Sequence, residues 1–181
     1  LHRWFRTRRP LTPSGPRRGR VHLFCDEFTA YNDLDAGIAT VELLELLGYE
    51  VVIPAHVESG RASISTGLLR RARKFAERNV RLLADVVSAD APLVGIEPSA
   101  ILGFRDEYPV LVDPGLRGLA QALAPNCLML DEFLAREAAA GRIKPDCFND
   151  DARMIHLHGH CHQKALASLE ATVRMLSLPR N

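Results

Sequence analysis

Val21-His22-Leu23-Phe24-Cys25, broken at once by Asp26-Glu27-Phe28-Thr29, is the stretch from which the fold can be read. A short apolar run rich in β-formers that stops at two acids reads as a buried strand ending in a polar loop, with Cys25 buried in the strand. Asp33 stands where it can cap a helix reaching about Leu47, with Ile38, Val41, Leu44 and Leu47 along one side and Gly48 as the stop. Val51-Val52-Ile53-Pro54 is a second strand. A strand, a helix and a strand joined this tightly make a right-handed crossover, which sets the two strands parallel and adjacent.

The same alternation continues outward. A loop from His56 to Gly67 leads into a long helix from about Leu68 to Val87, basic at its start and apolar along Leu69, Ala72, Ala76, Val80 and Leu83. Leu93-Val94-Gly95-Ile96 reads as a third strand, Phe104 to Tyr108 follows within a turn or two of helix, and Gly115 to Ala124 and Met129 to Ala140 read as two further helices. Met154-Ile155-His156-Leu157 reads as the fourth strand, breaking at Gly159 before a helix from Gln163 to Leu176. The expected fold class is α/β: a doubly wound, mainly parallel sheet of about four strands with flanking helices.

Residues 1–20 hold seven arginines, three prolines and two glycines, so they read as a solvated linker, and residues 21–181 as a single domain. With the basic residues gathered there, the formal net charge of +1 gives no broad basic face, and no nucleic-acid partner is expected. Cys25, Cys127, Cys147 and Cys161 are too scattered for a disulfide framework and point to a reducing, cytoplasmic setting. No apolar run reaches the roughly 18 residues of a membrane span. A start at Leu1 and an end at Leu178-Pro179-Arg180-Asn181 suggest a piece of a longer protein.

Parallel strands deliver their following residues to one rim, where open α/β sheets place ligands. Asp26-Glu27, Glu58 to Arg61, Glu97 to Ser99 with Arg105, Asp106 and Glu107, and His158 to Lys164 all fall there. Glu97, Asp106 and Glu107 could pair with Arg61, Arg105 and Lys164 as a structural ion cluster. His156 to Lys164 carries four of the seven histidines, and a helix start there would favour a thiolate at Cys161. His158, His160, Cys161 and His162 are therefore metal-ligand candidates, although neighbours in an extended chain face opposite sides and only some could share one ion. Glu97, Ser99, Arg105 and Lys164 are the candidate cofactor-binding residues. The fingerprints of dinucleotide and P-loop phosphate sites and of the nucleophile elbow are absent, and no catalytic residue is assigned to this segment.

Phe24-Cys25-Asp26-Glu27-Phe28-Thr29-Ala30-Tyr31-Asn32-Asp33, Glu58-Ser59-Gly60-Arg61, Gly95-Ile96-Glu97-Pro98-Ser99-Ala100, Phe104-Arg105-Asp106-Glu107-Tyr108 and His158-Gly159-His160-Cys161-His162-Gln163-Lys164 occur in that order. The set resembles the cysteine-rich (CCG-type) domain of FAD-linked oxidases, similar to that of D-lactate and D-2-hydroxyglutarate dehydrogenases and the glycolate oxidase iron–sulfur subunit. The resemblance implies a multi-domain enzyme in which a flavin oxidises a 2-hydroxy acid and iron–sulfur centres relay the electrons. FAD would sit in another domain, so the FAD and ferredoxin-like domains of the same polypeptide are the expected partners. Association with a membrane, if any, would be peripheral and through an electron acceptor.

Ser59 and Ala100 stand where many relatives carry Cys, and a Cys-Cys-Gly segment would be expected shortly after Asn181. Only Cys161 remains of the usual thiolates, so a 4Fe-4S iron–sulfur cluster site in this segment is expected to be incomplete. The alternative is a non-redox role of the same segment, as a docking or small-anion-binding module with a degenerate cluster site.

Overall fold

In the computed structural model, which describes residues 1–13, 15–149 and 151–179, the apolar runs become strands because each is covered on both faces. The chain runs α1 (His2–Thr7), β1 (Gly19–Phe24), α2 (Glu27–Tyr31), α3 (Leu34–Leu46), β2 (Tyr49–Val52), α4 (Arg61–Ser65), α5 (Leu69–Leu83) and β3 (Leu93–Gly95). It continues with α6 (Pro98–Leu102), α7 (Glu107–Leu111), α8 (Pro114–Leu123), β4 (Cys127–Met129), α9 (Leu130–Ala139), α10 (Cys161–Leu166) and α11 (Glu170–Leu176). The strands pair in the order β2-β1-β3-β4, all parallel, with Val21 opposite Val51, Leu23 opposite Val94 and Leu93 opposite Cys127.

Alternate side chains of each strand enter two separate cores. Val21, Leu23, Val51 and Val94 pack with Val41 and Leu44 of α3 and Phe133 and Leu134 of α9. Phe24, Leu93, Cys127 and Met129 face the other way, onto Ala76, Val80 and Leu83 of α5, Ile101 of α6 and Ala120 of α8. Helices on both faces of a parallel sheet make the fold doubly wound, as the sequence implies.

The chain leaves β1 for β2 on one side and then crosses over β1 to lay β3 on the other. The strand order therefore reverses between β1 and β3. The loops after these two strands diverge there and leave a crevice outside their C-terminal ends.

Two elements differ from the sequence reading. The fourth strand is Cys127-Leu128-Met129, and Met154 to Leu157 form no strand. The place beside β3 is filled by β4, so Met154, Ile155 and Leu157 have no strand partner among the described residues and stand 87%, 58% and 42% exposed. The helix expected from Gln163 to Leu176 is broken in two, with Ala167 extended. The break lets Leu169 fold over Gly159, so closely that a Cβ at Gly159 would lie 2.5 Å from Leu169 Cδ1.

The basic N-terminal segment, expected as a solvated linker, is docked over part of its length. Leu1, Trp4 and Phe5 pack on the α3 side of the core. The Arg8 guanidinium reaches buried Glu45 through hydrogen bonds of 2.6 and 2.5 Å, and the Leu11 N–H donates to the same carboxylate at 2.9 Å.

Candidate functional site

The crevice at the β1/β3 switch point is a cleft of about 620 Å3. From β1 come Asp26, Glu27 and Thr29; from the loop after β2 come Ser59 and Arg61; from β3 come Glu97, Ser99 and Ala100; and His160 closes it from the start of α10. Asp26 and Glu97 are held by local backbone. Asp26 caps α2, accepting from the Phe28 and Thr29 N–H groups at 2.9 Å and from the Thr29 hydroxyl at 2.7 Å. Burial nevertheless pushes the Asp26 carboxyl up from its usual range; the Thr29 hydrogen bonds oppose the shift and the negative Glu97 adds to it. Glu97 caps α6, accepting from the Ala100 N–H at 2.6 Å.

Ser59 fills its place with hydrogen bonds. Its N–H and hydroxyl donate to the two oxygens of Glu27 at 2.8 and 2.6 Å. Beneath it, Tyr108 of α7 donates to the Ser59 carbonyl at 2.8 Å, and Asn79 of α5 donates to both the Tyr108 hydroxyl and the Glu58 carbonyl at 3.0 Å. This buried clamp fixes the Glu58–Arg61 loop against the sheet.

The residues singled out from sequence separate into groups. His160 accepts from the His162 N–H through Nδ1 at 3.2 Å, which assigns the ring proton to Nε2, 3.6 Å from Glu97 Oε1. Ser99 lines the main cleft and also a smaller pocket of about 470 Å3, where it meets Arg61, Glu107, Cys161 and His162. His158 is exposed and lines neither space, and the same is true of Lys164. Arg105 turns away to Glu132, with contacts of 2.7 and 2.9 Å. Of the ion cluster expected on the rim, Arg61 and Glu107 are the pair that forms among the described residues, at 2.5 Å.

His158, His160, Cys161 and His162 do not converge on one centre. Among the described residues the ligand atoms that do come together are those of Asp106, Glu107 and His162, all within 4.8 Å of one another. Glu27 lines the cleft as fully as Glu97 does, and Glu107 lines the smaller pocket beside it. For Glu27 the position directly behind a strand end was the available signal, whereas Glu107 opens α7 and its residue type alone does not separate it from an ordinary surface acid.

The thiols do not fit an iron–sulfur cluster, which takes about four cysteines. Cys25 follows β1, and burial pushes its thiol up to about 11, which keeps it protonated. Cys127 begins β4 at the opposite end of the sheet, where burial raises its thiol as well and Sγ donates to the Leu123 carbonyl at 3.5 Å. Cys147 is exposed in the turn after α9, and Cys161 is the one thiol at the site among the described residues.

Fold and cleft together define a doubly wound α/β domain that gathers its polar chemistry at a topological switch point. The chain is homologous to one segment of the D-2-hydroxyglutarate dehydrogenases. It is 31% identical over 156 residues to the D-2-hydroxyglutarate dehydrogenase of Pseudomonas putida, a match covering 86% of this chain and 14% of that protein. The enzymes of the same name from Escherichia coli and Pantoea ananatis are 34% identical over 83 residues and 32% over 92, covering 8% and 9% of their own lengths. These relatives bear out the resemblance drawn from the ordered motifs. No family model matches the chain, and no solved structure matches it significantly. No helix among the described residues is long and apolar enough to cross a membrane.

Proposed function

We propose that this chain is a segment of a multi-domain 2-hydroxy-acid oxidoreductase acting on a D-2-hydroxyglutarate-type substrate. The observation that carries the reading is the homology to the Pseudomonas putida enzyme over 86% of the chain, embedded in a protein of which the match is 14%. Oxidation of a 2-hydroxy acid to a 2-oxo acid releases two electrons and two protons. FAD elsewhere in the polypeptide would take them, and iron–sulfur centres outside this chain would pass the electrons onward.

The segment's own contribution is a rigid acidic cleft with one accessible thiol beside it, Cys161, as a ligand or relay group that needs partners from outside the chain. The cleft's charge argues against the small-anion alternative. Asp26, Glu27, Asp33 and Glu97 line it, against Arg61 and His160, and Arg61 is already engaged by Glu107. Docking of a neighbouring domain is the non-redox reading that remains compatible with this surface.

The test is turnover by the full-length natural protein with a dye acceptor. D-2-hydroxyglutarate is expected to be oxidised and its L-enantiomer not, with Cys161→Ala lowering electron delivery roughly tenfold or more. Absence of D-2-hydroxy-acid oxidation would overturn the reading. Unchanged electron delivery in Cys161→Ala would assign the segment to docking.

A further inference from the structure

Asp106, Glu107 and His162 lie apart from the main cleft and come from two elements far apart in sequence. Asp106 stands at the N-cap of α7, Glu107 is that helix's first residue, and His162 is the second residue of α10. The Asp106 side chain makes no capping hydrogen bond. Glu107 receives Arg61 on Oε1 at 2.5 Å, while its Oε2 is buried with no hydrogen-bond partner. The His162 backbone N–H is used by His160, but its ring makes no hydrogen bond among the described residues. One acceptor atom from each residue falls within 4.8 Å of the others.

Apart from the Arg61 guanidinium on Glu107 Oε1, the side chains of these three residues have no hydrogen-bond donor among the described residues, and acceptors gathered this closely suit a cation. Two carboxylates against one guanidinium leave a net negative charge beside the imidazole, so the local field has the right sign. An octahedral ion with bonds of about 2.1 Å sets opposite ligands about 4.2 Å apart, so small side-chain rotations suffice to close the three groups around it. The adjoining pocket of about 470 Å3, lined by Arg61, Ser65, Ser99 and Cys161 as well as Glu107 and His162, leaves room for water or another ligand on the open side.

We infer that Asp106, Glu107 and His162 form a binding site for one divalent first-row transition ion of the Mn2+, Fe2+ or Zn2+ class. Carboxylate oxygens suit Mn2+, and the imidazole extends the range to Fe2+ and Zn2+ over Mg2+ and Ca2+. The site is separate from any thiolate-held cluster and does not depend on the proposed oxidoreductase role.

Mn2+ binding to the purified 181-residue chain, read from loss of the free-ion electron paramagnetic resonance signal, tests the inference without an activity assay. About one Mn2+ per chain is expected, displaced by Zn2+. Asp106→Asn and His162→Gln should each weaken binding roughly tenfold or more. Asp106 is exposed and His162 half-buried, and far-UV circular dichroism checks that both variants fold. Cys161→Ser should leave the Mn2+ affinity within about twofold of the parent chain. No bound Mn2+ at millimolar concentration, binding unchanged in both ligand variants, or binding lost in Cys161→Ser alone would each overturn the site.

Discussion

Gly95→Ala is expected to lower the stability of the domain by about 2–3 kcal/mol, an unusually large effect for one added methyl group. Gly95 ends β3, and a Cβ there would lie 2.5 Å from Ile101 Cβ and 2.9 Å from Ile101 Cγ1. Ile101 is fully buried in the α5–α8 core, so neither side can yield without moving α6 away from the sheet. The same helix carries Ser99 and Ala100 into the cleft and is capped by Glu97. The substitution should therefore loosen the site as well as the core. At 2–4 °C per kcal/mol for a chain of this size, the melting temperature should fall by roughly 4–12 °C. An unchanged melting temperature would mean that α6 does not press on the sheet in this way.

Glu45→Ala is the second large effect, and it acts on the N-terminal segment. Glu45 is 5% exposed, and its carboxylate accepts two hydrogen bonds from Arg8 and one from the Leu11 N–H. Removing one partner of a buried pair costs about 3–5 kcal/mol when the other charge stays buried. Here the cheaper response is release of the first thirteen residues, which returns the Arg8 guanidinium to water and frees Trp4 and Phe5 from the α3 face. Limited trypsin digestion should then cut after Arg3, Arg6 and Arg8 roughly tenfold faster than in the parent chain, with the rest of the domain intact. Equal cleavage rates would show that apolar packing alone holds the segment down.

In the N-terminal segment, composition leaves the docking contact unread. Seven arginines with three prolines look like a solvated linker, yet Arg8 finds a buried acid on α3, and nothing in a local pattern marks Glu45 as its partner. The first three strands were legible because buried parallel strands leave continuous apolar runs ended by polar residues. Cys127-Leu128-Met129 was not, being short and wedged between two helical patterns. Met154 to Leu157 carries the better β signal, but that signal says nothing about whether an edge is free to pair.

The candidate site was legible as a rim and not as a set of contacts. Glu97, Ser99 and His160 were readable because strand ends and the helix start fixed where they had to be. Arg105 and Lys164 were not, because the choice of ion-pair partner depends on side-chain reach across elements: Arg105 takes Glu132. The histidine-rich stretch splits for a physical reason. His160 turns back to cap α10, His162 turns to Asp106 and Glu107, and His158 stays on the exposed approach.

Of the four thiols, Cys161 alone stands at the candidate site among the described residues, and the chain does not assemble a complete cluster site by itself. Anaerobic reconstitution of the purified chain with iron and sulfide tests it most directly. No stable brown 4Fe-4S chromophore is expected after desalting, because Cys25 and Cys127 are buried, exposed Cys147 lines neither the cleft nor the pocket beside it, and Ser59 and Ala100 supply no thiolate. A stable 4Fe-4S spectrum with about four irons per chain would contradict it.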